Sequence, residues 1–164
     1  MRYNRREKAM TIETKLFGNI DVDDSKLITF PQGIIGFPEL KDFLLIHDGE
    51  GESNVKWMQS VQEPAFAMPV VDPLSIIPDY NPDIEDELLK PLGGITPENM
   101  LVLVTITVPK EIEKMTVNLK GPIVINSESR KAGQLIIDDD KYAVKFPRYD
   151  ILKAAKEKSE KAGE

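Results

Sequence analysis

Cysteine is absent from the 164 residues, and histidine and tryptophan occur once each, as His47 and Trp57. Without cysteine there is no disulfide framework, no thiolate nucleophile and no zinc–thiolate site. A single imidazole leaves His47 without a His or Cys partner for a metal, and it would be the only base available to a catalytic serine. Neither Gly-x-Ser-x-Gly, Gly-x-Gly-x-x-Gly nor a P-loop is present. Asp48 and Glu50 follow His47, yet a lone histidine at the end of a strand-like run reads as a surface residue. Asp79-x-Asn81-x-Asp83-x-Glu85 imitates the start of an EF-hand loop, but Ile84 stands where that loop needs glycine and Lys90 where it needs the closing glutamate. No apolar run approaches the ~18 residues of a membrane helix. The first nine residues lack the apolar stretch of a signal peptide. The sequence therefore points to no enzyme, no metal site, no cofactor and no membrane insertion.

Charge is present in quantity and unevenly placed. The chain carries −7; residues 1–9 contribute +3, from Arg2, Arg5, Arg6 and Lys8 against Glu7, which leaves −10 for residues 10–164. A body that acidic repels nucleic acid and favours basic partners. Aromatic residues make up 7% of the chain, too few for the basic, aromatic-lined groove by which β-barrels hold single-stranded RNA. A length of 164 residues fits one domain. Residues 1–9 are polar and aperiodic and read as a disordered leader, with Met10 a plausible natural start and no contribution to stability.

From Thr11 the pattern is that of short strands. Ile12, Thr14 and Leu16 alternate with Thr11, Glu13 and Lys15, and a turn is expected at Gly18-Asn19. Further strands are expected over Lys26 to Phe30, Asp42 to His47, Val55 to Val61, Ala65 to Val71 and Met100 to Val108. Trp57 alternates with Val55 and Gln59 and is expected in the core. Pro69 cannot donate to a ladder, which predicts an edge or a bulge there. Met100 to Val108 is the longest apolar run, and its richness in β-branched residues predicts burial on both faces at first and on one face where Thr105 and Thr107 alternate. Ser75-Ile76-Ile77 offers a short strand within a proline-rich loop. Asn81-Pro82 reads as N-cap and first position of a helix over Pro82 to Lys90, with acids in its first turns. Gln134 to Ile137 and Tyr142 to Lys145 read as a hairpin around Asp138-Asp139-Asp140, and Asp150 as the cap of a last helix. Turn signals at short intervals and scarce helical periodicity give a mainly β fold, a small antiparallel barrel or pseudo-barrel with one or two short helices.

Two stretches organise this pattern. In Thr116-Val117-Asn118-Leu119-Lys120-Gly121-Pro122-Ile123-Val124-Ile125-Asn126, two β-prone runs flank Lys120-Gly121-Pro122, which predicts a tight change of direction. Phe30-Pro31-Gln32-Gly33-Ile34-Ile35-Gly36-Phe37-Pro38-Glu39-Leu40 is likewise apolar and punctuated by proline and glycine. Together with Thr14-Lys15-Leu16-Phe17-Gly18, Trp57-Met58-Gln59-Ser60-Val61-Gln62, Ala65-Phe66 and Val71-Asp72-Pro73, in that order and spacing, they resemble the flagellar assembly factor FliW family. The resemblance runs from about Thr11 to Pro147. It departs at Lys120, where a polar residue such as Gln is usual, and at Gly121, where Ala is usual. It divides the chain into the leader 1–9, a FliW-like β domain 10–147 and a C-terminal helical extension 148–164.

The resemblance implies a cytoplasmic protein of flagellum biogenesis without catalysis or cofactor. It implies two protein partners, cytosolic flagellin and the translational regulator CsrA, and no direct contact with nucleic acid. Release from exported flagellin would free the protein to sequester CsrA, making flagellin mRNA translatable. It does not itself assign contact residues. Functional residues collect on loops held by a rigid sheet, which nominates Phe37, Asp72, Pro73, Asn118 and Asn126. The acids Glu85, Asp86 and Glu87 are nominated for the repulsive field they would bring to an RNA-binding partner. A nucleic-acid-binding or small-molecule-binding β-barrel is the alternative: the first would need a basic stripe, the second a deep pocket with convergent titratable groups.

Overall fold

The computed structural model describes residues 10–47, 55–82, 84–107, 109–111, 114–138, 142, 146 and 147. The expected leader 1–9 and C-terminal helix 148–164 lie outside the described residues, as do Asp139, Asp140 and Tyr142's neighbours 143–145. The strands in chain order are β1 (Met10–Thr14), β2 (Gly18–Val22), β3 (Ile28–Thr29), β4 (Asp42–His47), β5 (Val55–Ser60), β6 (Ala67–Val71), β7 (Met100–Thr107), β8 (Thr116–Val117), β9 (Ile123–Asn126), β10 (Ala132–Gln134) and β11 (Phe146–Pro147). All their pairings are antiparallel. The main sheet runs β10-β9-β7-β6-β5-β4-β3, and a parallel bridge between Thr29 and Lys131 brings its two ends together. The result is a nearly closed barrel, as the strand pattern predicts.

The barrel is filled. Ile28, Phe43, Met58, Val70, Leu103, Ile123, Ile125 and Ala132, one or two from each strand of the circuit, form one cluster together with Phe30, Ile34 and Leu40. Small barrels close over side chains in this way rather than over a channel. The opposite face of the sheet is also covered. Leu44 and Ile46 of β4 meet Ile12, Ile20 and Val22 of the separate β1–β2 hairpin. Val55, Val71, Val104, Ile106 and Val117 pack under Ile76, Tyr80, Leu119, Ile137 and Tyr142. Burial on both faces explains why β9 is buried at all four residues and β5 at five of six. Strands in that position lose the apolar–polar alternation of a one-sided sheet.

Trp57 is 2% exposed. It sits on the outer face, opposite Ile46 and Pro69 in the register. The ring of Phe17, from the β1–β2 turn, meets it edge-on at 6.2 Å. That turn falls at Lys15-Leu16-Phe17 rather than at Gly18-Asn19. Thr14 makes it: its hydroxyl donates to the Gly18 carbonyl at 2.8 Å and accepts the Phe17 N–H at 2.9 Å. Gln59 is fully buried, and its Nε2 holds the next turn through the carbonyls of Pro64 (2.9 Å) and Phe66 (3.1 Å). Gln62 takes the N–H groups of Lys41 and Asp42 at 3.1 and 2.9 Å.

Several sequence expectations need correction. Thr116 to Asn126 does not double back. β8 pairs with Ile106 and Thr107 of β7, and β9 pairs with Met100 to Leu103 of the same strand. Asn118 to Pro122 therefore face only Val104 and Thr105, and the surplus residues bulge out while the chain keeps its direction. Pro69 is on neither an edge strand nor a bulge: β6 lies between β5 and β7. It is tolerated because the β6–β7 ladder is confined to Val70 and Val71. β7 is buried at its centre, Leu103 to Val104, while Met100 and Leu101 are exposed at its start. Residues Pro73–Ser75 form a 3-10 turn capped by Asp72, not the start of a strand.

The helix is shorter and later than expected. α1 spans Asp86–Leu89 and continues as a 3-10 turn over Lys90–Leu92. Its N-cap is Glu85, not Asn81. The N–H of Asn81 is taken by the Tyr142 hydroxyl at 3.0 Å, and the Tyr80 hydroxyl donates to the Leu119 carbonyl at 2.7 Å. Those bonds, and the extended bias of a residue before proline, hold residues 80–82 across the barrel wall. Burial of the Tyr80 ring raises its hydroxyl pKa above the ordinary tyrosine value. Gly93, at φ +87, ends the turn. The expected arm of a hairpin with Gln134 to Ile137, residues 143–145, lies outside the described residues; within them the Leu135 N–H bonds the Pro122 carbonyl at 2.9 Å and the Ile137 N–H the Lys120 carbonyl at 2.8 Å, prolonging the β9–β10 pairing.

Candidate functional site: an open groove at the β10 edge

The two organising stretches meet at Gln134. Its Oε1 accepts the Ile35 N–H at 3.0 Å, and its Nε2 donates to the Gly121 carbonyl at 3.2 Å. One side chain thus ties the 30–40 loop to the central bulge. The loop is itself tightly folded: the Phe37 N–H bonds the Ile34 carbonyl at 2.9 Å, and the Leu40 N–H bonds the Phe37 carbonyl at 3.0 Å. Gly33 makes this possible. It sits at φ +72, and a Cβ there would lie 2.4 Å from the Pro38 carbonyl oxygen. Both the conformation and the close approach call for glycine.

Beside that junction runs an open groove of about 470 Å³. Pro31 to Ile35 form one wall, Glu87, Leu88, Pro91 and Leu92 the other, and β10 with Leu135 and Ile136 the floor and edge. The second wall is held down by Leu92, Val124 and Leu135, which pack together. The rim is unusually apolar: Ile136 is 72% exposed, Ile35 52% and Leu88 42%. Phe37, 43% exposed, continues the apolar surface and leans on Phe66 with ring centroids 5.1 Å apart. Scattered exposed apolar side chains are ordinary, but several around one concavity mark a place where something binds. Among the described residues Glu87 is the one ionisable side chain lining the groove. It pairs with Lys90 at 2.9 Å while both remain exposed, and Glu85 and Asp86 precede it on the same exposed surface. Such a pair contributes little to stability.

The residues nominated from sequence separate into four places. Phe37 and Glu85, Asp86 and Glu87 belong to the groove or its surroundings. Asn126 is 2% exposed and works inward: its Nδ2 donates to the Leu92 carbonyl at 2.9 Å, and its Oδ1 accepts the N–H groups of Glu128 and Ser129. It supports the groove wall from below. Asn118, half-buried, accepts the Lys120 N–H at 3.0 Å and shapes the bulge. Asp72 is exposed and caps the 3-10 turn through the Leu74 N–H at 2.9 Å, with Pro73 buried behind it. This pair is not among the groove-lining residues. Sequence reasoning missed Gln134, Ile35, Leu88 and Ile136. Leu88, four residues after Ile84, carries the spacing of a buried helix stripe although it is exposed, and neither Ile35, Ile136 nor Gln134 stands out from its neighbours. His47 is exposed at the end of β4. Among the described residues no three His, Cys, Asp or Glu side chains are grouped to hold a metal ion, and no helix is long and apolar enough to cross a membrane.

The FliW protein family matches residues 11–148. A flagellar assembly factor FliW from Lachnospira eligens is 46% identical over 147 residues, 88% of this chain and 97% of that protein. One from Caldanaerobacter subterraneus is 42% identical over 89% of this chain and 97% of its own. One from Treponema denticola is 36% identical over 87% and 94%. The crystal structure of a flagellar assembly factor FliW superposes with a TM-score of 0.76 at 33% identity, covering 85% of this chain and 99% of that one.

Proposed function

The chain belongs to the FliW family of flagellar assembly factors, and from that premise we propose that it is a non-catalytic cytoplasmic switch that binds flagellin in one state and the translational regulator CsrA in another. Held by flagellin, it leaves CsrA free to repress flagellin mRNA. Released when flagellin is exported, it sequesters CsrA and translation resumes. The observation that carries this reading is the apolar rim of the β10 groove, Ile35, Leu88 and Ile136, in a member of a flagellar assembly family. Exposed apolar surface of this kind suits a protein partner better than a solvated metabolite. The acidity of residues 10–164 suits a basic partner such as an RNA-binding protein.

The test is a binding titration of the purified chain with flagellin, with CsrA, and with CsrA preloaded with flagellin leader RNA. Stoichiometric binding of each protein, and release of the RNA as the chain is added, is the expected result. A chain that binds neither protein, or that binds the RNA itself, overturns the proposal.

A further inference from the structure

Among the described residues no strand uses the outward backbone groups at the far end of the β10 edge. The pairing of β10 with β9 runs through alternate residues: the Asn126 N–H bonds the Lys131 carbonyl at 2.9 Å, the Leu135 N–H the Pro122 carbonyl at 2.9 Å, and the Ile137 N–H the Lys120 carbonyl at 2.8 Å. In an antiparallel ladder the residues between point their N–H and C=O to the other side. Those of Gln134 and Ile136 therefore face away from β9, along the groove. The neighbour that closes the barrel, β3, reaches only the start of this edge: the Thr29 N–H takes the Arg130 carbonyl at 2.9 Å, and the next N–H, that of Phe30, turns back to the Lys41 carbonyl at 2.7 Å. Beyond that point the 31–35 loop swings out, anchored by the buried Ile34 side chain and by the bond from the Ile35 N–H to the Gln134 side chain.

We propose that this edge is a strand-addition site: an extended segment of a partner protein, alternating apolar and polar residues and carrying a lysine or arginine, docks along Ala132 to Ile136 as an extra antiparallel or parallel strand. Its main chain bonds the outward groups of Gln134 and Ile136. Alternate apolar side chains fill the space between Ile35, Leu88 and Ile136. Its basic residue takes the place of Lys90 against the exposed Glu87, with Glu85 and Asp86 adding to the negative field; three acids against that one lysine are the reason to commit to a basic segment and not an acidic one. Backbone bonds give affinity in this mode and alternate pockets give specificity. At a strand rise of about 3.3 Å per residue, the edge from Ala132 to Ile136 accommodates a segment of roughly five residues. An exposed edge left otherwise uncovered is a template for unwanted pairing, and a resident partner segment resolves that.

The inference rests on the reading of this chain as a protein-binding switch, and the experiment separates the two. Flagellin and CsrA are titrated separately into the isotopically labelled full chain while amide exchange is followed. The Gln134 and Ile136 amides should slow at least tenfold on binding one of them. Ile136→Pro removes an outward N–H and trims the side chain to about the size of valine's, at an edge position where proline is tolerated, and should weaken that binding tenfold or more. Ile136→Val, which keeps the N–H, should leave it within threefold, and the two variants should melt alike. Tight binding without slowed exchange, and indifferent to Ile136→Pro, overturns the strand-addition site while leaving the switch intact. If neither protein binds, the switch reading fails, and an alternating valine–lysine hexapeptide becomes the probe. Slowed exchange of the same two amides by that peptide, but not by its backbone-N-methylated form, still supports the edge; no slowing ends it.

Discussion

The two sides of the barrel wall solve the same problem differently. At β4 and β5, the outer face carries Leu44, Ile46 and Trp57, and the chain covers them itself with the β1–β2 hairpin and the Phe17 ring. At β10, Leu135 on the outer face is covered by one turn of helix and a 3-10 turn through Leu92, while Ile136, which alternates to the other face, is left exposed. Trp57 is 2% exposed and Ile136 72%. The amount of apolar side chain is similar; what differs is whether the chain supplies the matching surface. The closed side is architecture, and its substitution should cost stability. The open side is a rim, and its substitution should cost binding.

The largest expected effect is on the closed side. Trp57→Ala removes a buried indole and its edge-on contact with Phe17, and should destabilise the fold by roughly 3–5 kcal/mol. Denaturant unfolding measures this directly. A variant of unchanged stability with weakened partner binding would move Trp57 to the other class and break the comparison.

Gln134 lies on the open side but also holds the buried Gly121 carbonyl, so its effect should be intermediate. Gln134→Leu keeps the volume but strips partners from the Ile35 N–H and the Gly121 carbonyl. The Ile35 N–H can turn to water, whereas Gly121 is buried, which leaves an expected cost of roughly 1–2 kcal/mol. The loop over 31–36 should also show faster amide exchange than in the unchanged chain. An unchanged loop would show that Gly33 and the Ile34–Phe37 turn hold it without this bridge.

This division also explains what could be read from sequence. β1, β2, β4, β5 and β7 were legible because their runs of Ile, Val, Leu and Thr are long and bounded by turn residues, and Trp57 was legible as core by alternation. Three features were not. Whether Lys120-Gly121-Pro122 reverses the chain or bulges depends on which strand lies alongside, and β7 is long enough to pair both flanking runs. The start of α1 was misplaced because Asn81-Pro82 carries the local signature of a helix N-terminus, while the Tyr142 hydroxyl takes the Asn81 N–H. Tertiary hydrogen bonds override a propensity of that size. The groove was hidden because its walls come from the 31–35 loop, α1 and β10, far apart in the chain. The nominated loops were near it, but Asn126 turned out to be a strut. Asn-containing β-to-turn junctions look alike in sequence whether the amide points to solvent or, as here, to the Leu92 carbonyl.

The smallest effect on stability, and the sharpest on function, is expected from the acids on the open side. Glu85, Asp86 and Glu87 are exposed, and the Glu87–Lys90 pair is solvent-washed. Replacing all three by glutamine should leave the melting temperature within roughly 2 °C. Their role in the proposed mechanism is a field. RNA affinity of a basic protein depends heavily on phosphate neutralisation, so a bound acidic surface beside the RNA path opposes it without occupying every RNA contact. Screening limits that reach to about 8 Å at physiological salt, which requires the acids to lie close to the RNA once the groove is engaged. Displacement of RNA from CsrA should therefore weaken as salt rises even where the two proteins stay bound. The triple variant should lose more displacement than binding, and its remaining displacement should be less salt-dependent. Tracking RNA release and protein association separately, at two salt concentrations, for both chains reads each of these. Equal potency of the two chains at both salts would remove the acids from the mechanism and leave the open side with its apolar rim alone.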